Sequence, residues 1–222
     1  MITKELQKRL LSSLILIPIT IFFIFQETLF FVFFLCVLFI ATSYEWIKMN
    51  NKDVLKIIGL VYIFFAFILA YFLREKFSLG LFILVLIICI FTDLGGYIFG
   101  KFFKGPKLIK ISPKKTYAGA LGGFILALVA ALLYSKYTVT GATTYGNLSI
   151  LTGIALNKIF LLFTLFISLV SQIGDLIISY FKRLAKVKDT GNLLPGHGGL
   201  LDRLDGIIFA IPISYLLLTL LR

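Results

Sequence analysis

The sequence predicts an all-α fold: a polytopic integral membrane helical bundle of about seven transmembrane helices (range seven to nine), with a cytoplasmic N-terminus. The 222-residue chain is 60% hydrophobic and contains 24 phenylalanines, which is more apolar surface than one soluble core can bury. Several of its apolar stretches also reach the ~20 residues needed to cross a ~30 Å hydrocarbon layer. A soluble single domain is therefore excluded.

Seven apolar spans follow one another along the chain. They cover residues 10–26, 29–47, 57–73, 79–100, 117–134, 159–181 and 204–221. Basic residues precede the first span, as in a signal peptide. It lacks a small-residue cleavage site and a second span follows at once, so we interpret it as a retained anchor. The run 150–156 is too short to cross alone and is expected to be interfacial or re-entrant.

The cations are divided unevenly between the two ends of these spans. With the N-terminus in the cytoplasm, most of the 22 Lys and Arg residues fall in cytoplasmic segments, as the positive-inside rule requires. The formal net charge of +12 is thus mainly an orientation signal, with attraction to anionic lipid headgroups as a secondary effect. No nucleic-acid partner is indicated.

Two of the scarce acidic residues lie well inside predicted spans. Asp93 and Asp175 each precede a basic residue by about two helical turns, which places both roughly 10–12 Å below the cytoplasmic helix ends. Ionisable groups at membrane depth are costly and suggest function. Their similar depth predicts one shared cavity open to the cytoplasm. Alternatively, each acid pairs with a neighbouring lysine or caps a broken helix, and Gly95-Gly96 would allow a kink beside Asp93.

Two further acids, Asp202 and Asp205, begin the last span. They are three residues apart and therefore share one face of a helix. Together with Asp175 they would repel one another unless a cation lay between them. Mg²⁺ is commonly held by one or two carboxylates plus phosphate oxygens, so we assign all three as Mg²⁺ ligands and leave a second cation open. Alternatively, Asp202 is an N-terminal helix partner and Asp205 pairs with Arg203.

Basic residues and glycines accompany these acids between residues 179 and 205. The basic residues are Lys182, Arg183, Lys186, Lys188 and Arg203. Guanidinium groups bind phosphate in a bidentate way, and ammonium groups act as point charges. The glycines Gly196, Gly198 and Gly199 would let main-chain N–H groups approach a ligand. His197, between them, is a candidate phosphate contact, although a lone histidine is more often structural.

A second polar cluster precedes the fifth span. Ser112, Lys114, Lys115 and Thr116 place two hydroxyls and two ammonium groups just ahead of a glycine-rich helix start. The N-terminus of a helix offers free N–H groups and a favourable dipole for an anion. Basic loops are common on this side of a membrane protein, so the cluster alone is a weak indication of a site.

The run S-x2-K-R-x4-K-D-x-G-x2-L-P-G-H-G-G-x2-D-R-x-D, from Ser179 to Asp205, resembles the signature of the phosphatidate cytidylyltransferases, or CDP-diacylglycerol synthases. The segments 172–176 and 112–116 are also similar to that family, and the resemblance covers roughly residues 79–206. One position departs from the pattern, since the family usually has glutamate where this chain has Ala118.

The resemblance implies transfer of a cytidylyl group from CTP to phosphatidate, which yields CDP-diacylglycerol and pyrophosphate. Asp175, Asp202 and Asp205 would hold Mg²⁺. Phosphates would be bound by Lys182, Arg183, Lys188, His197 and Arg203. CTP or the lipid phosphate would contact Ser112, Lys114, Lys115 and Thr116, with Gly196, Gly198 and Gly199 offering amides.

The same resemblance implies an inner-membrane, multi-pass enzyme whose site faces the cytoplasm, with the acyl chains left in the bilayer. Residues 1–78 would form an N-terminal three-helix region and 79–222 the catalytic region of one membrane unit, without a soluble domain. A homodimer is left open. The alternatives are a non-catalytic lipid-binding paralogue, because of Ala118, and a secondary transporter, which the low charge on the far side disfavours.

Overall fold

Seven α-helices make up most of the described chain. The computed structural model describes residues 4–109, 112–140, 158–196 and 198–221, with side chains from residue 12 onward except at 113, 114 and 137–140. The helices are α1 (Lys4–Phe25), α2 (Thr28–Met49), α3 (Asp53–Phe72), α4 (Leu79–Phe103), α5 (Tyr117–Thr140), α6 (Lys158–Leu184) and α7 (Leu201–Leu220). Six of them, with α3 extended to Phe77, are long and apolar enough to cross a membrane, and the described apolar part of α1, Ser12–Phe25, is shorter.

These helices confirm the prediction of an all-α polytopic membrane protein. Each predicted span falls on one helix, and the observed helices are generally longer than the apolar runs, because charged and polar end turns continue the helical hydrogen bonding. The predicted short run 150–156 lies outside the described residues.

Polar capping groups set two of the helix starts. The Ser78 hydroxyl accepts a hydrogen bond from the Leu81 amide at 3.1 Å and begins α4, directly after a π-helical turn, Leu73–Phe77, that ends the third span. The Thr116 hydroxyl accepts from the Gly119 amide at 3.1 Å and begins α5. Each hydroxyl satisfies a main-chain N–H that has no partner within its own helix.

A small antiparallel hairpin lies between α4 and α5. Its strands are β1 (Lys107–Ile109) and β2 (Ser112–Thr116), with Lys107 opposite Thr116. The chain turns into it through Lys104 and Gly105, which have φ values of 47° and 41°. The sequence alone predicted a loop for this segment. The hairpin ends directly at the first residue of α5, which fixes the position of the predicted polar cluster.

The chain divides into two compact units. The first comprises Met1–Phe67 with Phe181–Leu204, and the second Ile68–Tyr180 with Asp205–Arg222. In the first unit, Phe23 of α1 stacks on Phe34 of α2 with ring centroids 5.2 Å apart. The Trp46 indole of α2 donates to the Leu55 carbonyl of α3 at 3.0 Å. The predicted division between residues 78 and 79 stays a prediction.

In the second unit, glycines bring α4 and α5 into close contact. A methyl group on Gly95 would meet the Gly122 carbonyl, and one on Gly119 would lie 2.7 Å from the Gly96 carbonyl oxygen. Small residues at these positions therefore let the two helix backbones approach closely. A buried hydrogen bond of 2.7 Å between the Thr92 and Ser168 hydroxyls joins α4 to α6.

Candidate functional site

The second unit contains a cavity of about 210 Å³. Its walls come from α4, the β-hairpin, the start of α5 and the middle of α6. The lining residues are Thr92, Asp93, Gly96, Tyr97, Leu108, Lys115, Thr116, Gly119, Ala120, Gln172, Asp175 and Leu176. Asp93 and Asp175 therefore share one cavity, as their predicted depth indicated. Its opening toward the cytoplasm stays a prediction.

An ion pair crosses this cavity between Lys115 of β2 and Asp175 of α6. The two side chains are 27% and 25% exposed, so both can be reached from the cavity. The Gln172 side chain, one turn before Asp175, donates to the Ala120 carbonyl of α5 at 3.3 Å. Lys115 and Thr116 of the predicted cluster ahead of α5 thus line the same cavity as Asp175 of α6.

Asp205 lies near two other carboxyl groups of the second unit, those of Asp175 and Asp93. Asp205 is 7% exposed and lies close enough to Asp175 and Asp93 for electrostatic repulsion. Its Oδ1 also accepts from the Gly206 amide at 2.9 Å. Neighbouring carboxylates repel one another, and a shared proton or a cation between them removes that repulsion. The sequence predicted the proximity of Asp175 and Asp205, and the structure adds Asp93.

The Asp175 and Asp205 pair fits a hard divalent cation. Mg²⁺ usually takes one or two protein carboxylates and completes its six ligands with water and substrate phosphate oxygens. Among the described residues, no group of three or more His, Cys, Asp or Glu side chains is placed to hold a metal by itself. The protein could therefore supply only part of the coordination shell, with phosphate and water supplying the rest.

In the first unit, Asp202 has a different set of partners. Its Oδ1 forms a 2.7 Å ion pair with the Lys182 ammonium group. Its Oδ2 accepts from the main-chain amides of Thr190 at 2.8 Å and Gly199 at 3.1 Å. Asp202 therefore accepts main-chain hydrogen bonds at the N-terminus of α7, which was the alternative interpretation. Its predicted role as a metal ligand stays a prediction.

The glycine-rich residues belong to the signature loop, which we define as residues 185–200 between α6 and α7. Gly196 and Gly198 have positive φ values of 78° and 89°, which favour glycine. Leu194 and Gly198 exchange two main-chain hydrogen bonds of 3.0 and 3.1 Å. The amides of Gly198 and Gly199 thus bond within the protein, and the predicted ligand contacts of the three glycines stay predictions.

The remaining predicted site residues differ in how far they reach into solvent. Arg183, Lys188 and Arg203 are exposed, and Ser112 is half-buried on β2. His197 lies outside the described residues, as does the side chain of Lys114. The predicted roles of all these residues in phosphate binding stay predictions.

Sequence reasoning missed Glu45 of α2. This side chain is 1% exposed, and its carboxylate accepts hydrogen bonds from the Leu200 and Leu201 amides and the Thr190 hydroxyl, at 2.8 to 3.0 Å. An acid within the predicted span 29–47 could have been found by the argument that singled out Asp93, because any ionisable residue in a span suggests function.

Helices long and apolar enough to cross a bilayer, with a cavity lined by acids and a base among them, define the class of integral membrane proteins. A family model of the cytidylyltransferase family matches residues 52–221. Over 217 residues the chain is 35% identical to a phosphatidate cytidylyltransferase of Rickettsia bellii, covering 95% of this chain and 90% of that protein.

Two other relatives carry the same name. The phosphatidate cytidylyltransferase of Rickettsia prowazekii is 36% identical over 213 residues, covering 93% of this chain and 89% of that protein. That of Bacillus subtilis is 42% identical over 131 residues, 58% of this chain and 44% of that protein. The chain belongs to the cytidylyltransferase family.

Proposed function

We propose that this protein transfers the cytidylyl group of CTP to phosphatidate, giving CDP-diacylglycerol and pyrophosphate. The observation that carries the proposal is the cavity of the second unit, where Lys115 and Asp175 pair beside Asp205 in a chain of this family. The names of the relatives favour this activity over the paralogue and transporter alternatives. Phospholipid synthesis is the corresponding role.

The reaction needs positioning and charge neutralisation more than acid–base chemistry. A phosphate oxygen of phosphatidate attacks the α-phosphorus of CTP, the bond from that phosphorus to the bridging oxygen breaks, and pyrophosphate leaves. The nucleophile is already ionised, so no general base is required. Lys115 would hold phosphate oxygens of the substrates in place, which lowers the barrier by orientation and by electrostatic stabilisation.

Asp175 and Asp205 would hold Mg²⁺ in this site, and a second cation stays open. When bound, the ion would neutralise charge on the phosphate oxygens of CTP. Without substrate, the ammonium group of Lys115 neutralises the charge of the Asp175 carboxylate. Competition between a phosphate and Asp175 for this ammonium group would free the carboxylate as substrate arrives.

The proposed location is the inner membrane, with the site facing the cytoplasm. The positive-inside bias supports this orientation. Cysteine labelling would test it in a variant whose Cys36 and Cys89 are replaced by Ala. We expect a membrane-impermeant maleimide to label Lys76→Cys in intact cells and Asn51→Cys only after permeabilisation, since both positions are exposed. The reverse pattern would contradict the orientation.

The activity is tested with purified protein in detergent, phosphatidate, Mg²⁺ and CTP labelled at either its α- or γ-phosphate. We expect the α-label in the lipid fraction and the γ-label only in pyrophosphate. The γ-label alone in the lipid, with the α-label left in CDP, would indicate phosphorylation instead. Lipid binding without CTP consumption by folded protein would contradict the proposal and support a non-catalytic paralogue.

A further inference from the structure

Glu45 lies outside the signature segment and outside the residues that the family model matches, yet it is tied to the signature loop. Its Oε1 accepts from the Leu200 amide at 2.9 Å, and its Oε2 from the Leu201 amide at 2.8 Å and the Thr190 hydroxyl at 3.0 Å. All these residues belong to the first unit. One carboxylate therefore joins α2 to the middle of the loop and to its junction with α7.

Glu45 and Asp202 accept hydrogen bonds from neighbouring donors of Thr190 and of the start of α7. Thr190 gives its amide to Asp202 and its hydroxyl to Glu45. Of three successive amides at the start of α7, that of Gly199 bonds Asp202 and the next two bond Glu45. The two carboxylates thus hold one set of neighbouring donors, so the orientation of Asp202 depends on the position of Glu45.

Close packing makes the arrangement specific. A methyl group on Gly191 would lie 2.6 Å from Glu45 Oε1, and one on Gly199 would lie 2.6 Å from Oε2. Real contacts of a Cβ atom are longer than 3.0 Å. Two glycines of the signature therefore leave room for this carboxylate. Among the described residues, Glu45 forms no ion pair with lysine or arginine, so hydrogen bonds to the loop hold its carboxylate in place.

We infer that Glu45 is a positioning residue for the reaction, which holds the signature loop so that Lys182 and Asp202 are presented in one arrangement. The inference rests on the proposed function, because it assigns the loop a part in that reaction. Glutamine at this position would keep the size of the side chain, but its amide would point donors at the donors of the loop. At least one of the Leu200 and Leu201 main-chain N–H groups would then lose its partner.

The experiment compares Glu45→Gln, Thr190→Val and Thr190→Ser with wild type. Thr42→Val is the matched control, since the buried Thr42 hydroxyl on the same helix donates to carbonyls of that helix. The measurements are kcat and KM for CTP, their Mg²⁺ dependence, and amide hydrogen exchange of the loop in substrate-free protein. Melting temperature in detergent reports general stability.

We expect Glu45→Gln and Thr190→Val to lower kcat about 10- to 100-fold and to speed exchange in the loop. Thr190→Ser, which keeps the hydroxyl, should have the kcat and the loop exchange rate of wild type. Thr42→Val should also match wild type in kcat and in loop exchange. Wild-type kcat in Glu45→Gln, or equal effects of Thr190→Val and Thr42→Val, would overturn the inference.

Two outcomes separate this inference from the proposed function. If Glu45→Gln does not accumulate in membranes, comparison of Thr190→Val with Thr190→Ser tests the inference by the same two measurements, kcat and loop exchange. If wild-type protein forms no labelled lipid, the proposed function and the reaction-specific part of the inference both fail. Exchange rates would still show whether Glu45 orders the loop, because they are measured without substrate.

Discussion

The ammonium group of Lys115 and the carboxylate of Asp175 form an ion pair across the cavity of the second unit. Lys115 comes from a short hairpin and Asp175 from the middle of a long helix, so the pair fixes the hairpin against the helical wall. Both groups are about a quarter exposed, and each is the type of side chain that a nucleotide phosphate or its metal would contact. This relationship leads to two predictions about activity.

Lys115→Met is expected to lower kcat/KM roughly 10²- to 10³-fold, the usual loss when one preorganised charge contact to the transition state is removed. The assay is lipid labelling from CTP over a range of CTP concentrations. Lys107→Met is the matched control, because Lys107 is an exposed lysine on the other strand of the same hairpin. Equal activity of the two variants would remove Lys115 from the site.

Asp205→Asn and Asp175→Asn are each expected to abolish Mg²⁺-dependent turnover without unfolding the protein. An amide of the same size can retain a hydrogen bond and relieves the repulsion between neighbouring carboxyl groups. The checks are lipid labelling across a Mg²⁺ titration and the melting temperature in detergent. Chelation by EDTA should stop the wild-type enzyme, and added Mg²⁺ should restart it.

Asp53→Asn is the control for these variants. That carboxylate is 85% exposed and pairs with Lys56 three residues along the same helix, so its loss should leave turnover unchanged. Full turnover in Asp205→Asn at low Mg²⁺ would exclude Asp205 from metal binding. A shared proton would then be the better account of how Asp205 and Asp175 lie near each other.

The helices were predictable because a bilayer imposes one simple requirement on sequence, an apolar run of about 20 residues. The hairpin of residues 107–116 was not, because its three- and five-residue strands are too short to show alternation. Its two strands pair with an irregular register between Lys107 and Ile109, and it ends directly at the start of α5. Those features are tertiary and leave no local pattern.

The site was predictable only in part, for a similar reason. Asp93 and Asp175 were placed in one cavity from their depth alone, since helical rise converts sequence distance into depth. Depth does not give rotation about the helix axis, so the Lys115 partner of Asp175 could not be derived. The position of Glu45 in a predicted span was a usable signal, but its partners could not be derived, because they are mostly main-chain amides more than 150 residues away, and amides carry no sequence signature.

The close contact of α4 and α5 predicts different tolerance at two adjacent glycines. Gly95→Ala should destabilise the protein by about 1–3 kcal/mol, because the added methyl group would overlap the Gly122 main chain and the helices would have to separate. Gly96→Ala should be nearly neutral in stability, since the nearest atom to its methyl group would be the Gly119 carbonyl oxygen at 3.8 Å. Melting temperatures in detergent provide the test, and equal melting of the two variants would contradict this packing.

The Thr92 and Ser168 hydroxyls should be energetically coupled. Both are buried and 2.7 Å apart, so Thr92→Val alone leaves the Ser168 hydroxyl without this partner and should cost about 1 kcal/mol. Ser168→Ala should cost less, because the Thr92 hydroxyl keeps a 2.7 Å bond to the Ile88 carbonyl. The double variant should be more stable than the sum of the single losses predicts, by roughly 0.6 kcal/mol. Strict additivity in a double-mutant cycle of unfolding free energies would show that this bond does not join α4 to α6.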